Sequence, residues 1–234
     1  MFMDKLRASP KKPMATSTPD MVVRSINEGI LKRRYSIGQR LVESDLTRDL
    51  KVSRGTVREA LKTLSAEGVV KLTPHRGAFI RSLSRKEAND LLLVLEVLCG
   101  VAARLAAQRI NSGDHLKQFR AATQALPGMG NNAVSSGFPE QRARFYQTML
   151  TICGNAELER TMPLSHIFMF RAQFQGLWSN KDIAAVLKEY QEVAAAILAG
   201  NVKLAETRMR RHIRKTAERM SKLADSAFAV ADLS

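Results

Sequence analysis

Two arginines four positions apart, Arg54 and Arg58, lie at the start of a segment with helical periodicity. Val57, Leu61 and Leu64 repeat at helical spacing, so the two arginines fall away from the apolar face. A guanidinium can donate two hydrogen bonds to guanine, and free N–H groups at a helix N-terminus attract phosphate. One exposed arginine would indicate only a solvated helix face. The pair, placed at the beginning of the helix, indicates contact with DNA bases.

The elements predicted around these arginines cover residues 20–82. Helical spacing predicts a first helix after Asp20 as N-cap, a second over Glu43–Leu50 and a third from the N-cap Ser53 to about Glu67. Two β-prone runs follow at 69–73 and 78–81, separated by the turn residues 74–77. This order predicts a winged helix-turn-helix with a small β-hairpin as its wing.

The composition agrees with a polyanionic partner. The 234 residues include 37 Lys and Arg against 22 Asp and Glu, a formal net charge of +15. Residues 1–19 combine lysine, arginine, proline, serine and threonine and are predicted to form a flexible basic tail. We find no apolar run long enough for a membrane span and no signal-peptide core, so we expect a soluble cytoplasmic protein with no membrane partner.

The segments GQRLVESDL (38–46) and VSRGTVREAL (52–61), with PHRG (74–77), closely resemble the DNA-binding domain of the GntR family of bacterial transcription regulators. The resemblance implies that Arg54 and Arg58 contact the operator, that Ser44 and Ser53 contact phosphate, and that residues 75–77 enter the minor groove. The predicted DNA-binding residues are Arg40, Ser44, Ser53, Arg54, Thr56, Arg58, His75, Arg76 and Gly77. Gly55-Thr56 departs from the Thr-Pro that the family often has there, which leaves the base preference open.

Residues 84–228 are predicted to be an all-α helical bundle. Ser84 and Glu87 form a capping-box pattern that opens a helix reaching about Arg109. Further helices are expected at about 114–126, 139–153, 157–176, 180–199 and 202–227, with a flexible loop at 127–137. The arrangement resembles the FCD domain of FadR-like GntR regulators, which implies ligand sensing and dimerisation.

Many FCD domains bind a divalent metal through one Asp and three His side chains, and those positions here are Arg142, Tyr146, Tyr190 and His212. Three of the four ligands are therefore missing, so we predict no metal and no cofactor. Arg142 supplies positive charge in place of the ion, which suggests that it binds an effector carboxylate while the other three side chains add hydrogen bonds. The alternative is that Arg142 points to solvent or pairs with Glu140, which would leave no effector. Leu92 replaces an arginine of the family and suggests instead a hydrophobic acid or thioester.

No Walker loop, GxSxG, HExxH or dinucleotide-binding motif occurs, so an enzyme is the least favoured class. The sequence therefore predicts a homodimeric transcriptional regulator, a repressor, that binds an inverted-repeat DNA operator and senses a small organic acid. A ligand-independent or architectural DNA-binding protein, with a helical domain used only for dimerisation, is the alternative. Weak preference among DNA sequences and no release by a metabolite would favour that alternative.

Overall fold

The computed structural model describes residues 18–124, 126, 138–161 and 164–229. Within these ranges the elements are α1 (Thr18–Leu31), β1 (Arg40–Leu41), α2 (Glu43–Leu50), α3 (Arg54–Ala66), β2 (Val70–Thr73), β3 (Gly77–Ile80), α4 (Arg85–Arg109), α5 (His115–Thr123), α6 (Phe138–Cys153), α7 (Ala156–Thr161), α8 (Leu164–Phe174), α9 (Asn180–Leu198) and α10 (Val202–Ser221). Short 3-10 turns cover Gln175–Leu177 and Asp225–Ala227. The predicted fold class, mainly α with a small wing, is confirmed.

The first three helices and the sheet enclose one hydrophobic core. Its fully buried members include Val22, Ile26, Val57, Leu61, Leu64 and Ile80. Lys51 adopts left-handed backbone angles and ends α2, and Ser53 then caps α3 by accepting the Thr56 N–H at 3.1 Å. This short connection between α2 and α3 leaves the N-terminal end of α3 exposed.

The sheet has three strands in the order β1-β3-β2, all antiparallel. The hairpin of β2 and β3 was predicted, but β1 was not. Its two residues pair with the side of β3 that faces away from β2. Arg40 lies opposite Phe79, and Leu41 lies opposite Ala78. A strand of this length has too few side chains to display a period of two, and only Leu41 is buried.

The remaining helices enclose a second, larger core in which α4 packs against α6, α9 and α10. The predicted capping box opens α4, because Ser84 and Glu87 satisfy one another's backbone N–H groups. The hydrogen bonds from Ser84 and Arg81 hold the pKa of Glu87 at about 2, although burial alone would raise it. Gly200, with φ +66°, follows α9 and allows the sharp turn into α10.

Several predicted helix boundaries were wrong. Helix α1 begins at Thr18, two residues before the predicted cap Asp20, so the last residues of the predicted tail are helical. The single helix expected over 157–176 is two helices, α7 and α8, and the sequence has Pro163 between them, which cannot donate a helical hydrogen bond. The last α-helix ends at Ser221 rather than near 227. Residues 1–17 of the predicted tail and the predicted loop at 127–137 lie outside the described residues.

The two cores meet where α8 lies against α1. Ala172 of α8 packs against the core of the winged-helix part. Its neighbour Gln173 hydrogen-bonds to the backbone of Leu83, in the segment between β3 and α4. Helix α8 therefore contacts both the winged-helix part and the segment that leads out of it.

Candidate functional site

The predicted base-contacting residues lie on the exposed N-terminal half of α3. Arg54 is exposed in its first turn, and the side chain of Arg58 is 64% exposed. The Arg58 Nε donates a hydrogen bond to Glu43 Oε2 of α2 at 2.9 Å. Since the pair is exposed, it orients Arg58 without sequestering it, and the guanidinium retains donors for a base edge.

The predicted phosphate-contacting hydroxyls lie at the starts of α2 and α3. Ser53 Oγ is 2.8 Å from Thr56 Oγ1, in addition to accepting the Thr56 N–H. Ser44 is exposed in the first turn of α2. The helix starts therefore combine hydroxyl groups with the positive ends of the helix dipoles, an arrangement suited to phosphate.

The wing carries the other predicted DNA-binding residues. His75 and Gly77 have positive φ angles, +59° and +94°, that form the tight turn at its tip, and Arg76 between them is exposed. A Cβ added at Gly77 would lie 3.5 Å from Arg40 Nε, so Arg40 of β1 extends beside the wing. The structure thus brings Arg40 close to Gly77 at the base of the tip, next in sequence to the exposed Arg76.

In the helical part, the four residues at the positions of the family's metal ligands converge in the interior. Tyr190 OH donates to Tyr146 OH at 3.3 Å, and the Tyr190 ring centre is 4.6 Å from that of His212. The guanidinium carbon of Arg142 lies 5.2 Å from the centre of the Tyr190 ring and 5.2 Å from that of Phe138. All four predicted residues are buried, with at most 4% of their surface exposed.

The imidazole of His212 contacts the carboxylate of Glu189. Its Nδ1 is 2.8 Å from Glu189 Oε2, while Arg219 Nη2 donates to Glu189 Oε1 at 2.5 Å and Lys215 Nζ lies 3.4 Å from the same oxygen. Burial alone would raise the pKa of Glu189, but the hydrogen bonds from His212 and Arg219 hold it at about 2. Burial lowers the pKa of His212, so the imidazole is neutral and donates its Nδ1 proton to Glu189. Its Nε2 then carries no proton and acts as an acceptor.

Arg142 is a buried cation whose guanidinium is incompletely paired. It is 4% exposed, so it does not lie in solvent, whereas Glu140 is exposed. Within the described residues, its Nε and Nη1 have no hydrogen-bond partner. The faces of the Phe138 and Tyr190 rings provide cation–π contacts but accept no conventional hydrogen bond.

A second arginine, Arg171 of α8, lines the same cavity and was missed in the sequence. It is 3% exposed. Its pKa is lowered to about 9, first by burial and then by the positive charge of Arg142. The available signal was an arginine set among the apolar residues Ile167, Phe170 and Phe174.

The cavity between these side chains has a volume of about 20 Å³. That is room for about one water molecule. Its other walls are mostly apolar and consist of Leu92, Leu95, Cys99, Ile167, Phe170, Ile213 and the methyl-bearing Thr216. Burial raises the pKa of the Cys99 thiol to about 12 and that of Tyr146 well above its usual value, so both are neutral.

The donor set does not fit the divalent metal that the resemblance implies. Arg142 is a cation, tyrosine hydroxyls are not among the usual ligands of these metals, and of the four residues His212 alone offers an imidazole. Glu189 already accepts from His212 and Arg219. Among the residues that the structure describes, no three His, Cys, Asp or Glu side chains are grouped so that they could hold a metal ion. The four side chains therefore do not form a site suited to a divalent metal.

A long apolar helix of the kind that crosses a lipid bilayer does not occur in the described part of the chain.

Comparisons with known proteins cover both parts of the chain. Residues 18–80 match the family of bacterial regulatory proteins named gntR, and residues 90–215 match the FCD domain. The chain is 24% identical over 200 residues to the "Probable D-xylose utilization operon transcriptional repressor" of Paenarthrobacter nicotinovorans, covering 86% of this chain and 85% of that protein.

It is also 24% identical over 206 residues to the galactonate operon transcriptional repressor of Escherichia coli K12, covering 79% of this chain and 88% of that protein. The structure of E. coli McbR/YncC shares the fold with a TM-score of 0.74 at 13% identity, over 89% of this chain and 99% of that chain.

The helix-turn-helix with its wing, the buried helical pocket and the two family matches lead to one assignment. The chain belongs to the GntR family of bacterial transcription regulators, in the group that carries a C-terminal FCD domain.

Proposed function

We propose that this chain is a homodimeric repressor whose affinity for an inverted-repeat operator is set by a small carboxylate bound at Arg142. In this proposal, residues 20–82 bind DNA and residues 84–228 sense the effector and dimerise. Arg54, Thr56 and Arg58 meet base edges, Ser44 and Ser53 meet phosphates, and Arg40 with residues 75–77 follows the minor groove. Because its partner is operator DNA, the protein acts in the cytoplasm.

The observation that carries the proposal is the guanidinium of Arg142. A buried charge with incomplete hydrogen bonding is costly, and a carboxylate is the group that matches a planar guanidinium fork. The two unpartnered nitrogens, Nε and Nη1, lie on different edges of the guanidinium, and each leaves a donor that a carboxylate oxygen could accept. A relative named a galactonate operon repressor supports this class of effector, because galactonate is itself a carboxylate.

The neighbouring groups add selectivity. The Nε2 of neutral His212 can only accept, so it would favour an effector that has a hydroxyl next to its carboxylate. The Tyr146 and Tyr190 hydroxyls form a pair that can donate one remaining proton to the ligand. A 2-hydroxy acid or a sugar acid matches this set better than a fatty acid does.

The small volume of the cavity implies that the effector binds a more open conformation. A pocket with room for one water must expand before it admits an organic acid, so the ligand selects a state that differs from the ligand-free one. A ligand that binds only one of two states necessarily shifts the equilibrium between them. This is the thermodynamic requirement for coupling to DNA.

The chemistry of the pocket favours sensing over catalysis. Burial raises the pKa of both cysteine thiols, Cys99 and Cys153, so neither is an activated nucleophile. The Nδ1 of His212 is already engaged by the carboxylate of Glu189.

Homodimer formation is supported by an apolar stripe on α4. Leu93, Val94 and Val97 are 67%, 54% and 47% exposed, and their spacing puts them on one face of the helix. We propose that the same stripe of a second copy covers this face, since one winged helix reads too few base pairs to specify an operator.

The proposal is tested by comparing Arg142→Met with Arg144→Met. Arg144 is the exposed arginine two residues further along α6. The operator is first selected from random DNA with the wild-type protein. A panel of carboxylic acids is then screened by thermal unfolding and by operator binding. We expect at least one acid to raise the Tm and change operator affinity, and we expect Arg142→Met, unlike Arg144→Met, to abolish both effects.

Two results would contradict the proposal. If no acid alters either the Tm or operator binding, and the selected DNA shows only weak sequence preference, the ligand-independent alternative is correct. If an acid acts equally on wild type and Arg142→Met, the effector binds elsewhere.

A further inference from the structure

Resting on the proposed function, we infer that Leu92 and Ile213 form a gate through which the effector enters the buried pocket from a groove between α4 and α10. The groove has a volume of about 400 Å³, against about 20 Å³ for the buried cavity beside Arg142. Leu92 of α4 and Ile213 of α10 line both spaces. The partition between the groove and the cavity is therefore one side chain thick at these two residues.

The groove is open to solvent on its outer side. Its rim carries the exposed side chains of Leu93 from α4 and of Arg214 and Glu218 from α10. Leu92 and Ile213, in contrast, are only 3% and 5% exposed. A small acid in solution can thus reach the groove without any change in the protein, and these two side chains then lie between it and the cavity.

Rotation of the two side chains opens this partition more easily than separation of the helices does. Helices α4 and α10 pack closely against each other, and Arg214 Nη1 lies 3.7 Å from Glu96 Oε1, which connects them at the groove. Separating them would break close-packed core contacts. A change of side-chain rotamer keeps those contacts, and the groove provides the space into which Leu92 and Ile213 can turn.

Three residues of this region serve as reporter and controls. Cys99 is fully buried and lines the cavity but not the groove, so its thiol reports entry into the cavity. Leu95 also lines the cavity alone, which makes its truncation a matched control for truncation of Leu92. Cys153 is fully buried and lines neither space, so its thiol reports unfolding of the core.

The gate is tested by alkylation of the full-length protein with iodoacetamide, followed at each cysteine by mass spectrometry. Because Leu93 also belongs to the apolar stripe proposed for the dimer, the rates are compared at concentrations where every variant has the oligomeric state of wild type. Leu92→Ala and Ile213→Ala should each raise the ratio of the Cys99 rate to the Cys153 rate by about tenfold or more. Leu95→Ala widens the cavity without opening it, so it should change this ratio by less than about threefold.

A second experiment follows the passage of an acid. Ala217 lines the groove but not the cavity, so Ala217→Phe obstructs the route and leaves the binding site intact. For an acid that binds wild type, stopped-flow mixing should show association and dissociation slowed by the same factor, about fivefold or more, with Kd within about threefold of wild type.

The alkylation results are independent of effector identity. If both gate variants give the same ratio as Leu95→Ala, the gate is wrong, and the carboxylate sensor stands wherever acids still bind through Arg142. Equal acceleration at both cysteines would also overturn the gate, because the reagent would then enter by unfolding. If the ratio rises as expected but no acid binds wild type, the passage is correct and the proposed effector class is wrong.

The rate measurements separate a route from a binding surface. If Ala217→Phe weakens binding through faster dissociation alone, the groove is part of the binding site and the gate is wrong. If it changes neither rate, the acid reaches Arg142 by another path, which also overturns the inference.

Discussion

The side chain of Gln173 holds the backbone of Leu83 with two hydrogen bonds. Its Oε1 accepts from the Leu83 N–H at 2.8 Å, and its Nε2 donates to the Leu83 carbonyl at 2.9 Å. Leu83 lies in the segment that joins the wing to α4, and Gln173 is two residues after Arg171 on α8. Helix α8 therefore carries both a residue that lines the buried pocket, Arg171, and the side chain that fixes the exit of the winged-helix part.

We predict that Gln173→Leu uncouples the effector from DNA binding. The substitution preserves most of the side-chain volume and removes both hydrogen bonds to Leu83, together with the one that Nε2 donates to the Ala227 carbonyl at 3.1 Å. The free energy of unfolding should fall by about 1–3 kcal/mol. An acid identified by the panel should bind with affinity within about threefold of wild type, but the ratio of operator Kd with and without it should approach one.

Operator titrations by fluorescence anisotropy, with and without the acid, measure this ratio. Gln147→Leu, at an exposed position on α6, is the matched control. An undiminished ratio in Gln173→Leu would show that the coupling runs through another contact, such as that between α4 and the wing.

A second prediction concerns Arg58, which Glu43 orients at 2.9 Å. Arg58→Ala should weaken binding to the selected operator by about 1–3 kcal/mol and relax the preference at one base pair, because a bidentate contact to guanine is lost. Replacing a tail lysine such as Lys12 should instead weaken binding to all sequences alike and reduce its salt dependence. Equal losses on operator and random DNA for Arg58→Ala would refute its base-reading role.

Ser53 gives a third prediction, because it has both a structural and a proposed DNA-binding role. Ser53→Ala removes the cap of α3 and should cost about 1 kcal/mol of unfolding free energy. Ser53→Asp restores the cap but places a negative charge where a phosphate is expected. We therefore expect Ser53→Asp to unfold like wild type and to bind DNA at least tenfold more weakly. Wild-type DNA affinity in this variant would mean that Ser53 acts only as a cap.

The sequence predicted the members of the pocket that lie on strongly periodic helices. Arg142 and Tyr146 are one helical turn apart on α6, while Tyr190 and His212 flank the turn at Gly200. Helical geometry together with the family resemblance therefore placed these four residues in one interior region. The structure adds the carboxylate of Glu189 behind His212, which the sequence showed only as a residue next to Tyr190.

Arg171 could not be assigned in the same way. Whether an arginine in an aromatic helix faces solvent or a cavity depends on how that helix docks, and α8 docks through contacts distant in sequence. The separation of α7 from α8 before Arg171 was also missed. Strand β1 was not predicted for the same reason, because its pairing partner β3 follows 36 or more residues later.

A fourth prediction concerns pH. Burial lowers the pKa of His212 below its ordinary 6.5, and Arg142 and Arg219 lower it further, while Glu189 raises it. The unfolded chain takes up this proton near pH 6.5, so below that pH the unfolded state binds more protons than the folded state does. The free energy of unfolding should therefore fall as pH decreases from 7 towards 5, by at most about 1.4 kcal/mol per pH unit from this group.

Denaturant titrations across pH 5–8 measure this slope. In His212→Asn the side chain can still donate to Glu189 but does not titrate, so the slope should be smaller than in wild type. The contribution of Glu189 lies in a separate window, because its pKa is lowered from 4.5 to about 2 and its stabilisation is lost only as pH falls through that range. An unchanged slope between pH 5 and 7 in His212→Asn would show that another group titrates there.

The last prediction tests the apolar stripe of α4 as the contact between two copies. Val94 is its central residue and is 54% exposed. Val94→Glu would place a charge in the proposed interface, where burial without a partner is unfavourable. We expect the dimer to dissociate at least tenfold more readily in sedimentation equilibrium. At concentrations where the variant is monomeric, operator affinity should fall by about 10²–10⁴-fold, because binding to the two half-sites is no longer linked. Gln108→Glu, an exposed position near the end of the same helix, should change neither property. A Val94→Glu protein that remains dimeric at wild-type concentrations would place the dimer contact on another surface, and the exposed stripe would then need a different partner.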